Sequence, residues 1–175
     1  MPNRWTFTIK PINKLLEQEL TRGIWVDPFA GRFSPAGLTN DINPQMTATC
    51  HKDALEFLQG LNSEMADGVL FDPPYSFRQA SECYKMVGRD AAIVTSKKYW
   101  AECKKEIARI VKPGGKAICF GWNTMGLGKN RGFEMKRILI VPHGGSMNDT
   151  MVTVEIKIVP GKVPPLPLPR YFPIK

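Results

Sequence analysis

At positions 68–76 the sequence reads GVLFDPPYS. An apolar run stops there at an acid, two prolines and an aromatic residue. Two successive prolines fix the backbone and remove two N–H donors. What remains is the Asp72 carboxylate and bare carbonyl oxygens, a rigid set of acceptors with the ring of Tyr75 beside it. Such a set suits a flat group carrying an NH2. The carboxylate and the Pro73 carbonyl each take one N–H, while Pro74 holds their geometry. The two bonds localise the nitrogen lone pair and make a poor nucleophile better. Tyr75 is placed to stack on the planar ring, as flipped bases are usually held. No covalent enzyme nucleophile is needed.

Two further acids stand where short apolar runs end: Asp27 after GIWV (23–26) and Asp41 within GLTNDIN (37–43). In an open α/β sheet, ligands bind outside the carboxyl ends of the strands. Asp27, Asp41 and Asp72 would then edge one cleft. Capping of a following helix is the other common use of Asp at such a place, and it stays open for each of them.

The elements that must position these acids follow from the pattern. Helical spacing of Ile12, Leu15, Leu16 and Leu20 predicts a helix over 12–20, with Pro11 in its first turn. Strands are predicted at 23–26, 37–43 and 68–71. A helix at 52–60 ends at Gly60, and amphipathic helices cover 76–88 and 97–111. KPGG (112–115) stops the last of these before a strand at 116–122, and two more strands follow at 133–141 and 151–159. Alternating strands and helices predict an α/β fold with a mostly parallel sheet and helices on both faces. The last two strands have no helix between them and should pair antiparallel. Trp25 and Trp100 are expected in the core.

The chain of 175 residues is long enough for one domain, placed at 1–159. The segment 160–175 carries a run of prolines that forbids helix and central strand, and it reads as an extended tail. No apolar run approaches the roughly 18 residues of a membrane span, and the N-terminus has no secretory pattern. The expectation is a cytoplasmic protein with no membrane partner. Cys50, Cys83, Cys103 and Cys119 are scattered without a C-x-x-C pair, so neither zinc nor any other metal is expected. A net charge of +8 favours a polyanionic partner through phosphate contacts.

Taken together, these residues resemble a known family. DPPY resembles the signature of amino-group methyltransferases that use S-adenosylmethionine (SAM), the small phage-type adenine-N6 DNA enzymes in particular. VDPFAG (26–31) is similar to their cofactor motif, TNDIN (39–43) to the acid after the second strand, and DALEFL (53–58) to the acid that reads the cofactor's adenine. The run 138–155 resembles the paired final strands of those enzymes, so the resemblance covers roughly residues 7–158. It implies a Rossmann-like fold with an antiparallel C-terminal strand, SAM as cofactor, and DNA as partner. It further implies that Asp27 and Gly31 face the methionine end of SAM. Asp41 would bond the ribose hydroxyls, Asp53 would accept from the adenine amine, and Phe29 would pack nearby. Asp72, Pro73, Pro74 and Tyr75 would hold the target amine. In place of the family's glycine-rich turn stands AGRFSPAG, and about ten residues separate the first two strand ends, too few for a crossover helix. The abbreviated crossover leaves one face of the sheet open to a partner subunit or a second copy of the chain.

Substrate contacts must come from loops on the same edge. GWNTMGLGKNRG (121–132) offers mobility and the cations Lys129 and Arg131, and Arg78, Lys97 and Lys98 follow the DPPY motif, with Lys85 and Arg89 among them. Each is equally readable as a solvated side chain. His143, Asn148 and Asp149 lie between the last two strands, as site residues or as turn formers. Besides the adenine-N6 reading, two alternatives stand: an RNA amino-group methyltransferase, and a nucleic-acid-binding module without activity.

Overall fold

The computed structural model describes residues 6–92, 94–145 and 148–161; the tail lies outside them from residue 162. A 3-10 turn, Thr6–Thr8, leads into α1 (Lys10–Glu19). The order continues β1 (Trp25–Asp27), β2 (Leu38–Thr39), α2 (Ala54–Gln59), β3 (Ala66–Phe71), α3 (Phe77–Met86), α4 (Lys97–Ile110), β4 (Val111–Gly121), β5 (Phe133–Val141) and β6 (Thr150–Lys157).

The strands form one sheet in the order β2-β1-β3-β4-β6-β5. Strands β1 to β4 pair parallel, and β6 enters antiparallel between β4 and β5. Strand β5 therefore runs parallel to β4, and the end of β5 and the start of β6 lie at the edge where β1 and β3 end. Each strand divides its side chains between two cores, as a period of two requires. Val69, Phe71, Ala117 and Cys119 face α2, α3 and α4. Leu70, Ile118 and Phe120 face α1, where Ile12, Leu15 and Leu16 meet them. Gly68 has a packing reason: a Cβ there would stand 2.4 Å from the Trp25 ring. Trp25 is buried, and Trp100 is half-buried against Phe29 and Tyr99.

Two departures from the sequence pattern have identifiable causes. The second strand stops after Thr39, where the backbone leaves the β1 ladder: Asn40 N still donates to Asp27 O, but Asp41 N turns to Cys50 O. Asn40 Nδ2 donates to the Pro28 and Lys52 carbonyls and its Oδ1 accepts from Lys52 N, while Asp41 accepts from Asn43 N. The KPGG segment ends α4 as expected but lies inside β4, where pairing jumps from Ala66↔Val111 to Gly68↔Lys116. In place of the first crossover helix, the 28–37 loop lays Ala36 on the α1-side core and leaves Phe33 exposed. No helix among the described residues is long and apolar enough to cross a membrane, and none of them cluster as a metal site.

Candidate active site

The carboxyl ends of β1, β2 and β3 open onto a cavity of about 470 Å³. Pro28, Phe29, Ala30 and Gly31 border it, with Asn40, Asp41 and Asn43 beside them. Met46, Tyr84 and Met86 add an apolar side, and Phe7, Asp72 and Pro74 close the end nearest β3. Phe29 is held in place against Phe71 and Trp100.

Asp41 rims this cavity. Its Oδ2 accepts from Gly31 N at 2.9 Å and its Oδ1 from Asn43 N at 2.8 Å. Partial burial raises its pKa, against the pull of those two amides. Gly31 has φ +57° and open space around it, so the chain can turn there close to a ligand.

Asp27 is fully buried and does not line the cavity. It accepts from Phe29 N at 2.9 Å and from the Ser34 hydroxyl at 2.6 Å. It thereby ties down the short loop that replaces a helix. Desolvation pushes its carboxyl up to about 7, and the neighbouring Asp72 and Asp41 act in the same direction.

Asp53, expected as an acceptor for adenine, is used otherwise. Its Oδ1 caps α2 through Leu55 N and Glu56 N. Its Oδ2 accepts from the Tyr84 hydroxyl and, at 3.1 Å, from the Tyr99 hydroxyl. Its neighbours Lys52 and Ala54 reach the cavity instead.

Asp72 is 3% exposed at the end of β3, and burial raises its carboxyl to about 6. The two following prolines leave it without competing backbone donors. Tyr75 departs from the expected stacking position. Its hydroxyl donates to Asp72 Oδ1 at 2.6 Å, and its half-buried ring leans on the α1-side core. The ring meets Trp122 edge-on, with centroids 5.7 Å apart and an interplanar angle of 72°. Thr150, at the start of β6, completes this corner, and its Oγ1 lies 2.8 Å from His143 Nε2. Asp149 accepts from His143 N, as a turn former does, and Asn148 is exposed.

The expected cations divide into two groups. Ser76 caps α3 and Ser96 caps α4, so the exposed Arg78, Lys97 and Lys98 sit in first turns, facing the carboxyl-end edge of the sheet. Arg78 pairs with Glu82. Lys129 and Arg131 lie elsewhere, because the 122–132 loop leaves the edge and descends along β6. Glu155, 1% exposed in β6, accepts from Leu127 N at 2.6 Å and Gly128 N at 2.9 Å. Lys104 donates to Gly126 O at 2.7 Å. These bonds deliver Lys129 and Arg131 to the start of β5, away from Asp72, with Arg131 donating to Leu127 O. The loop is thus fixed by a buried carboxylate rather than loosened by its glycines.

No protein-family model and no curated protein matches the chain. Solved structures do. A Burkholderia thailandensis 1,6-didemethyltoxoflavin N1-methyltransferase, seen with bound 1,6-didemethyltoxoflavin and S-adenosylhomocysteine, shares 14% identity at a TM-score of 0.60, covering 90% of this chain and 82% of its own. A Thermotoga maritima SAM-dependent methyltransferase, described as a possible histamine N-methyltransferase, shares 17% at 0.54, covering 88% and 93%. The fold is that of the SAM-dependent methyltransferases. TrmN from Thermus thermophilus shares 15% at 0.52 over 83% of this chain and 48% of its own. This chain spans less than half the length of TrmN and of the PH0851 protein, of which it covers 44%. In this methyltransferase fold the six strands keep the antiparallel strand second from one edge, while the opposite edge ends at the two-residue β2.

Proposed function

We propose that this chain transfers a methyl group from SAM to the exocyclic N6 amine of adenine in DNA. The observation that carries the reading is Asp72. It is a buried carboxylate at the end of β3, followed by two prolines and bordering a cavity at the carboxyl ends of the strands.

The cavity fits SAM by its donor set. Its volume lies within the range of small-molecule sites. Asp41 offers acceptor oxygens for ribose hydroxyls, and Phe29, Met46 and Tyr84 offer apolar contact to a purine. Asp41 and Asp72 border the cavity and offer carboxylates to it, which favours a cationic ligand. Bound there, SAM supplies an electrophilic methyl group on a positively charged sulfur.

The protein's part is to prepare the amine. Asp72 accepts one N–H and the Pro73 carbonyl accepts the other, directing the lone pair away from both. As the nitrogen gains its new bond to carbon it must lose a proton. The Asp72 carboxylate, raised to about 6, is placed to take that proton and pass it to water. In a duplex the adenine amine is paired, so the base must leave the stack first. The net charge of +8, with Arg78, Lys97 and Lys98 facing the same edge, favours a polyanionic substrate.

The test is transfer of labelled methyl from SAM to duplex DNA, single-stranded DNA, RNA and small heteroaromatic amines in parallel, followed by nucleoside analysis. Label in N6-methyldeoxyadenosine is the expected result. Label confined to RNA or to a small amine would keep the chemistry and overturn the substrate.

A further inference from the structure

We infer that Trp122 receives the face of the substrate's planar ring, a role the DPPY motif alone would give to Tyr75. The inference rests on the proposed amine chemistry at Asp72 and adds the residue that orients the ring.

Three observations carry it. First, Tyr75 is committed: its hydroxyl holds Asp72 Oδ1 and its ring is packed on the core formed with Phe7, Phe120 and α1. That bond and that packing fix the orientation of the Tyr75 ring. Second, Trp122 is 37% exposed, although large aromatic rings are usually well covered. It directly follows β4, and the pairing Phe71↔Cys119 sets the end of β4 beside the end of β3, where Asp72 begins the motif. Third, the two rings stand at 72° to each other. A flat ring laid on Trp122 would meet Tyr75 edge-on, the other favourable aromatic geometry. The Tyr75 side of this corner holds the Asp72 carboxylate through its hydroxyl.

The backbone that follows Trp122 is held in place. The Asn123 side chain accepts from Met125 N, and the next residues are clamped by Glu155 and Lys104. A platform held this way loses little entropy on binding. Trp122 borders the cofactor cavity nowhere, so its removal should leave cofactor binding alone.

The experiment uses the full chain with its cofactor cavity filled by saturating S-adenosylhomocysteine. Tryptophan fluorescence is titrated with adenosine, and anisotropy with a labelled single-stranded oligonucleotide carrying one adenine in a run of thymine. Wild type, Trp122→Phe and Trp122→Ala are compared. A base stacked on an aromatic side chain contributes enough that Trp122→Ala should weaken the adenine-bearing oligonucleotide roughly tenfold or more. Trp122→Phe should stay within about threefold while losing the adenosine-induced quenching. The Kd for S-adenosylhomocysteine should be the same in all three. Wild-type affinity in Trp122→Ala, or no quenching of the wild type by adenosine, overturns the inference, as does an equal loss of S-adenosylhomocysteine affinity. Quenching that depends on Trp122, without methyl transfer to any nucleic acid, would leave the platform standing and overturn the DNA reading.

Discussion

Asp72 and Tyr75 were legible in the sequence as residues but not as a pair. The string DPPY names an acceptor and a ring. It does not say that the ring's hydroxyl will close on the carboxylate, because that depends on the α1-side core against which Tyr75 leans. Asp72→Ala should abolish transfer while binding of S-adenosylhomocysteine, which lacks the cationic sulfur, changes less than about threefold by calorimetry; substantial residual activity would remove Asp72 from the chemistry. The raised carboxyls set a pH dependence. Asp27 and Asp72 titrate near about 7 and about 6, against an ordinary value of 3.8. A raised carboxyl binds its proton more tightly in the folded chain than in the unfolded one. Its contribution to stability is therefore complete below about pH 4 and is lost as pH rises through 6 to 7. The ligand-free protein should lose thermal stability over that interval. Cationic SAM favours the ionised forms, so its affinity should rise over the same interval, with protons released on binding. Calorimetry at pH 6 in two buffers of different ionisation enthalpy would show that release, and buffer-independent heats would contradict it.

At the scale of elements, the alternation of strands and helices carried most of the fold, since the central strands β1, β3 and β4 bury both faces and each helix one. The places where the pattern said least are those set by tertiary partners. The strand expected at 37–43 is cut to Leu38–Thr39 where Asp41 N turns to Cys50 O, and Asp53 caps α2 and accepts from two tyrosines. The descent of the 122–132 loop had a signal that went unread. In MVTVEIKIV an acid interrupts a strand whose neighbours are buried, and an acid at such a position needs donors from somewhere. Glu155→Ala would leave the amides of Leu127 and Gly128 without their acceptor. The expected cost is about 3 kcal/mol, a fall in Tm of about 6–12 °C for a domain of this size. Gly126→Ala should act in the same direction, because its Cβ would stand 2.2 Å from Glu155 Oε2 at φ +49°. A Tm within about 2 °C of wild type in both variants would show that the loop is held by other means.

For the whole molecule, composition said basic and the structure says where. Arg78, Lys97 and Lys98 stand at the carboxyl-end edge, whereas Lys129 and Arg131 do not. If DNA crosses that edge with about five phosphates in contact, affinity should fall several hundredfold between 50 and 200 mM salt. Anisotropy across that range checks it, and a fall of less than about threefold would contradict a phosphate-dominated interface. Lys97→Ala with Lys98→Ala should flatten the slope, and Lys129→Ala should leave it unchanged.

The Asp53 carboxylate gathers α2 through its own amides, α3 through Tyr84 and α4 through Tyr99, and the two tyrosine hydroxyls also meet at 3.1 Å. Three segments that are separate in the chain therefore share one half-buried junction beside the cavity. Regions joined in this way open together in native-state hydrogen exchange. The amides of α2, α3 and α4 should exchange with one common opening energy, and Asp53→Asn should lower it for all three at once. The side of the cavity that Ala54 and Tyr84 form would then loosen as part of a single cooperative unit, so a ligand that fastens any one of the three helices slows exchange in the other two.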